Sequence, residues 1–198
     1  MAKTNYILAS TPAEDLTIVE AMTGELKDYL LRDDVYHMLV VETSSGEERY
    51  QLSLGDLLSR LHRLEVQADQ LSPEQRQRLE EIKQIIQDTL RAMESRALAL
   101  AEREIKTRLN SLRWFLDECR DNRRYCRSEY PFEIRNRQRI QELLAWFGEK
   151  ISPELRRQVA EIDQEIRSLV KPADFIWDDR VQDVYPRESY WYLYALPA

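Results

Sequence analysis

The chain has 198 residues, 43% hydrophobic and 33% charged, which suits one soluble domain, or one domain with a small attachment, built around a sizeable core. That balance excludes a disordered or fibrous chain, and a net charge of -7 argues against a general nucleic-acid coat. No apolar run approaches the roughly 20 residues needed to span a bilayer, and the Met1-Ala2-Lys3-Thr4 start lacks the apolar stretch of a secretory signal, so no membrane span and a cytoplasmic location are expected.

Asn5 to Ala9 predicts a short strand. Thr11-Pro12-Ala13-Glu14 then opens a helix: Thr caps, Pro takes the first helical position and Glu reaches back as in a capping box. Leu16, Val19, Met22, Leu26 and Leu30 recur at three and four, so one face of a helix running to about Leu31 should be buried. Tyr36 to Glu42 is β-branched and apolar, Ser44-Ser45-Gly46-Glu47 supplies turn chemistry, and Tyr50, Leu52 and Leu54 alternate with polar residues, which predicts a β-hairpin. A helix carrying Leu57, Leu61, Leu64, Ala68 and Leu71 follows from the cap-like Ser53 to Asp56.

One phrase occurs twice. Leu71-Ser72-Pro73-Glu74 and Ile151-Ser152-Pro153-Glu154 each end one apolar-periodic run and open another, and eight of the twenty positions in 71–90 match 151–170. Ser accepts from orphan first-turn amides and Pro at the first position forfeits no helical bond, so each copy is the bend of a helical hairpin. Between the copies, Leu79, Ile82, Ile86, Met93, Leu100, Ile105, Leu112, Leu116 and Cys119 continue without Gly or Pro until Pro131, which is expected to close the run. A single helix of about 50 residues would be roughly 75 Å long. It must therefore break, near Ala97 to Ala101 or near Asn110, or project as a coiled-coil arm. Ile140, Leu143, Leu144 and Phe147 mark the next helix, and Lys171-Pro172 ends the last.

The chain changes character at two points, giving a small α+β element at 1–56, a helical bundle at 57–172 and an aromatic-rich tail at 173–198, together one structural domain. The tail crowds Phe175, Trp177, Tyr185, Tyr190, Trp191, Tyr192 and Tyr194 together, which disordered tails seldom do. It is expected to pack back on its own fold, with Tyr190 to Leu196 as an edge strand templated by the N-terminal strands. The alternative is partner docking through Trp177 and Trp191. Cys119 and Cys126 fall in one predicted helix, where seven residues separate α-carbons by about 10 Å, too far for a mutual disulfide. Core thiols in a reducing compartment are expected.

Charge is unevenly spread: residues 1–56 hold 4 basic and 11 acidic side chains, whereas 103–139 hold 11 and 6. Lys106, Arg113, Arg120 and Arg127 recur every seventh position of a helix, with Arg124 beside them, and lie near one line about 30 Å long. Such a line fits phosphates or an acidic partner, and Trp114 and Tyr125, facing away from the buried seam, could stack on bases or dock a partner. The simpler reading is a solvated face, because Glu102 and Asp117 can pair at i,i+4 with Lys106 and Arg113. Arg135, Arg137 and Arg139 alternate, which splays them around a helix as ordinary surface arginines.

Asp33, Asp34 and His37 form the one tight carboxylate and imidazole cluster, and a turn between helix and strand explains it better than a metal or base site. His62 fits a core boundary. Neither the Glu-x-x-His of di-iron bundles nor Cys-x-x-Cys occurs, and Gly24, Gly46, Gly55 and Gly148 are isolated, so no phosphate loop is present. No catalytic residue, cofactor or metal ligand is assigned. The expectation is a mainly α fold of two helical hairpins with one very long, broken or unbroken helix. Its expected role is a non-catalytic interaction or scaffold protein, self-associating as a homodimer. A nucleic-acid-binding protein using the basic line, and then an enzyme, stand behind it.

Overall fold

Seven α-helices and two short antiparallel strand pairs make up the residues that the computed structural model describes, 11–198. The expected Asn5 to Ala9 strand lies outside them. The class is mainly α with a small antiparallel hairpin near the N-terminus. Among the described residues the chain forms two compact units, 11–104 and 105–198.

In the first unit, α1 (Pro12–Leu31) starts where the Thr11 hydroxyl accepts from the Glu14 amide at 3.2 Å, and it buries Leu16, Val19, Met22, Leu26 and Leu30. Strands β1 (His37–Thr43) and β2 (Gly46–Leu52) pair from His37↔Leu52 to Thr43↔Gly46, leaving a two-residue loop. Gly46 takes φ +108°, a conformation L side chains rarely adopt. Leu39 and Val41 turn inward while Met38 and Val40 point out. The Ser53 hydroxyl caps α2 (Leu54–Val66) by accepting from the Asp56 amide at 3.1 Å. Helix α1 packs on α2, on β1 and on α3 (Pro73–Ala92).

Both copies of the repeated phrase bend the chain in the same way. Helix α2 is followed by a one-turn 3-10 helix at Ala68–Gln70, the buried Leu71, then Ser72 and α3. Helix α6 (Arg135–Phe147) is followed by a one-turn 3-10 helix at Gly148–Lys150, the buried Ile151, then Ser152 and α7 (Pro153–Leu169). The caps differ. Ser72 and Gln75 form a reciprocal capping box, with the Ser72 amide donating to Gln75 Oε1 at 2.9 Å and the Gln75 amide donating to Ser72 Oγ at 3.2 Å, whereas the Ser152 side chain does not cap α7.

The long apolar run between the bends breaks twice, at neither expected place. Helix α3 ends at Ala92, and Met93 leaves helical geometry at φ -116°, ψ 33°; α4 (Glu94–Asp121) then runs through Ala97 to Ala101 and Asn110 unbroken. The second break is Asn122, at φ -137°, ψ 86°, whose side-chain carbonyl accepts from the Tyr125 amide at 3.0 Å and opens α5 (Arg123–Glu133). Because the helix stops there, Cys119 and Cys126 lie on different helices, their α-carbons 4.8 Å apart and their sulfurs joined in a disulfide. The expected pair of free core thiols is thereby corrected: the 10 Å separation held only for an unbroken helix. Pro131 also fails to close the run. It sits inside α5, two residues before its end, where the missing N–H removes a single helical bond.

In the second unit the tail pairs differently from the expected edge strand. Strand β4 (Ala195–Pro197) joins β3 (Val170–Pro172), the segment after α7, and not the N-terminal strands; Trp191–Tyr194 is a 3-10 turn. The tail's rings form a chain of edge-to-face contacts, Trp177 to Tyr185 at 5.5 Å, Tyr185 to Tyr190 at 5.0 Å and Tyr190 to Tyr192 at 6.2 Å. Trp177 donates from its indole N–H to the Pro131 carbonyl at 2.7 Å, and the Tyr130 hydroxyl donates to the Tyr192 carbonyl at 2.9 Å, locking the tail to α5.

Candidate interaction surface

Helix α4 has two sharply different faces. Ile105, Leu109, Leu112, Phe115, Leu116 and Cys119 are buried, while Lys106, Asn110, Trp114, Glu118 and Asp121, at spacings of four, four, four and three, form an exposed stripe on the opposite side. Trp114 is 58% exposed at the middle of that stripe, and Trp is a residue type that helices normally bury.

The basic line does not continue as the heptad spacing implied. Lys106, Arg113 and Arg120 lie on α4, but the break at Asn122 and the close approach of Cys119 to Cys126 put Arg124 and Arg127 on a separate, redirected helix. Arg113 is half-buried and donates to Asn110 Oδ1 at 3.2 Å and to Gln158 Oε1 of α7 at 3.0 Å. Arg120 lies 3.1 Å from Asp117 and 3.7 Å from Glu165 of α7. Arg113 therefore ties α4 to α7, whereas Arg120 meets its two carboxylates at the surface, its side chain 69% exposed. Asp117 meets Arg120 at i,i+3 in place of the expected Arg113. Lys106, Arg120, Arg124 and Arg127 are exposed.

Of the four aromatic residues considered for docking, Trp177 is corrected outright: at 1% exposure it belongs to the core of the second unit. Trp191 is half-buried under the Arg167 guanidinium, 3.6 Å above its ring, and Tyr125 is half-buried against Phe115 at 6.4 Å. Trp114 alone of these four stands clear.

Arginines 137 and 139 are also corrected, since both are buried. Arg137 makes a bidentate pair with Asp163 of α7, Nε to Oδ1 at 2.6 Å and Nη2 to Oδ2 at 2.9 Å, and its guanidinium lies 5.1 Å from the Tyr192 ring centroid. Burial opposes the Arg137 charge, yet the Asp163 bond outweighs it and raises its pKa further. Arg139 donates to Gln138, Gln138 to Glu142 at 2.7 Å, and the Tyr190 hydroxyl to Glu142 at 2.9 Å. Burial, then the Glu142 charge, pushes the Tyr190 hydroxyl well above the ordinary phenol range, so it stays a donor. Arg135 does remain at the surface side, stacked 3.6 Å over Phe132.

The first unit holds a second set of buried charges that periodicity did not reveal. Asp15, 5% exposed, receives Arg63 bonds at 3.1 and 3.2 Å and an Arg60 bond. Burial works against its ionisation, but Arg63 and Arg60 together overcome this and hold the carboxyl below its ordinary pKa. Glu104, fully buried, accepts from Ser53 Oγ at 2.8 Å and from the Gly55 amide at 3.0 Å, bringing a carboxylate to the N-terminus of α2. Charged residues flanked by apolar ones gave the only available sign, as with Arg63 between Leu61 and Leu64.

Asp33 is fully exposed with Arg103 at 3.9 Å, and His37 Nδ1 lies 3.3 Å from the Arg32 guanidinium, so the acidic cluster is the helix-to-strand turn. His62 is half-buried, a boundary position. Among the described residues no group of three or more His, Cys, Asp or Glu is placed to hold a metal ion, and no helix is long and apolar enough to cross a membrane. No family model, curated protein or solved structure matches this chain.

Proposed function

We propose that this chain is a non-catalytic interaction or scaffold protein that docks a protein partner through the exposed stripe of α4. The observation that carries the reading is Trp114, more than half exposed between Asn110 and Glu118 on a helix whose other face is fully packed. An aromatic anchor ringed by polar side chains is the usual composition of a binding hot spot, because its burial supplies most of the affinity while the rim excludes water. The state of the buried carboxylates supports the non-catalytic part. Asp15, Glu104, Glu142 and Asp163 each meet structural partners, arginines, a helix start or a tyrosine, which are contacts that hold elements together. The aromatic tail is not included in the docking surface, since its rings build the core of the second unit.

Nucleic-acid binding through the basic line has less support, because Arg113 is half-buried against Gln158 of α7 and Arg124 and Arg127 lie on a separate helix. The test is partner capture at near-native concentration by the wild-type chain and by Trp114→Glu. A stoichiometric protein retained by the first and lost from the second supports the reading. Retention by both overturns it, and so does retention by neither when the chain also fails to self-associate.

A further inference from the structure

We propose that the partner is a second copy of this chain, docked antiparallel along the α4 stripe; this rests on the interaction reading above and names its occupant. The stripe carries its own complement. Its N-terminal end presents Lys106 and its C-terminal end presents Glu118 and Asp121, with Asn110 and Trp114 between them. When two copies of such a helix run antiparallel about a two-fold axis passing near Leu112, residues whose numbers sum to a constant face each other. Lys106 then meets Glu118 of the partner subunit, and Trp114 meets Asn110 of the partner subunit, each contact made twice by symmetry. A parallel pairing would set Glu118 against Glu118 and Lys106 against Lys106, which like-charge repulsion disfavours. The polar pattern thus selects one orientation, and the two tryptophans flank the axis as its apolar centre.

The size of the surface sets the affinity. From Lys106 to Asp121 the stripe is about 22 Å long and one helix wide, well below the roughly 800 Å² per partner of a standard interface, so a weak, reversible dimer with Kd of about 10–100 micromolar is expected. Trp114 contributes the dominant contact and the charge pairs fix the register.

The experiment is sedimentation equilibrium of the full chain up to about 500 micromolar, with circular dichroism to verify that each variant is folded. Wild type should fit a monomer–dimer equilibrium, and Trp114→Glu should weaken it about 30-fold or more. Lys106→Glu and Glu118→Lys should each weaken dimerisation about 10-fold by placing like charges at both symmetric contacts, while the two together restore it to within about 3-fold of wild type. Wild type that stays monomeric overturns self-docking, and so does a dimer indifferent to all three substitutions or one that the charge-swapped pair fails to restore. If the chain is monomeric but still captures a different protein in a Trp114-dependent way, self-docking falls while the interaction reading stands. If neither binding is seen, both fall.

Discussion

The two Ser-Pro bends share a backbone plan and differ in how their buried arginines are neutralised. In the first unit, Arg63 of α2 and its neighbour Arg60 are neutralised by Asp15, which comes from α1, outside the hairpin. In the second, Arg137 of α6 is neutralised by Asp163 of α7, inside the hairpin. The same turn chemistry thus sets the bend in both places, while the buried ion pair decides what each hairpin is fastened to. The first is tied to the helix before it. The second is closed on itself.

That contrast breaks most severely at Asp15. Replacing it with Ala leaves two arginines, one nearly fully buried, without their carboxylate, and should cost about 4 kcal/mol of unfolding free energy in denaturant titration. Because the folded Asp15 pKa is depressed, its contribution is complete above the unfolded carboxylate pKa and is lost as pH falls through the folded value; Asp15→Asn should therefore flatten the acid limb of the stability profile. Asp163→Ala should cost less, about 2 kcal/mol, since that carboxylate is partly solvated. Its effect should show as faster amide exchange in α6 and α7, whereas Asp15→Ala should accelerate exchange in α1 and α2.

The next difference is redox. Both cysteines lie in the second unit, and a disulfide closing so short a loop stabilises by about 2 kcal/mol. A mild reductant should loosen α5 and leave the exchange of residues 11–92 unchanged. The smallest test compares the caps. Ser72→Ala removes a reciprocal capping box, should cost about 1 kcal/mol and should speed amide exchange in the first turn of α3, while Ser152→Ala removes no cap bond and should leave exchange in the first turn of α7 unchanged. Equal fraying of the two helix starts would contradict the difference between the two bends.

The elements were legible wherever a local rule dictates them. Thr11, Ser53 and the two Ser-Pro phrases mark helix starts by their own chemistry, and the alternation around Gly46 marks the hairpin. The breaks were harder because each depends on distant packing. Met93 carries no breaker signal, and Asn122 is a good N-cap residue hidden in a run whose apolar period continues on either side. Missing Asn122 had two consequences, since an unbroken helix keeps Cys119 from Cys126 and aligns Arg124 and Arg127 with Arg113. Arg137 and Arg139 read as surface residues because a sequence shows their charge and not Asp163 or Gln138 across the fold. The side on which Trp114 lies, by contrast, followed directly from the helical wheel, which placed it away from Leu112 and Leu116; the expectation that something covers the ring did not hold, since it is 58% exposed.

Hydroxyl-radical footprinting of the tryptophans, at about 1 and about 500 micromolar chain, tests the interaction surface most directly. Trp146 on α6 is also partly exposed and serves as the internal reference. Trp114 oxidation should fall several-fold as concentration rises while Trp146 oxidation holds steady. Constant labelling of Trp114 across that range, or equal protection of both rings, would contradict docking of two chains along α4.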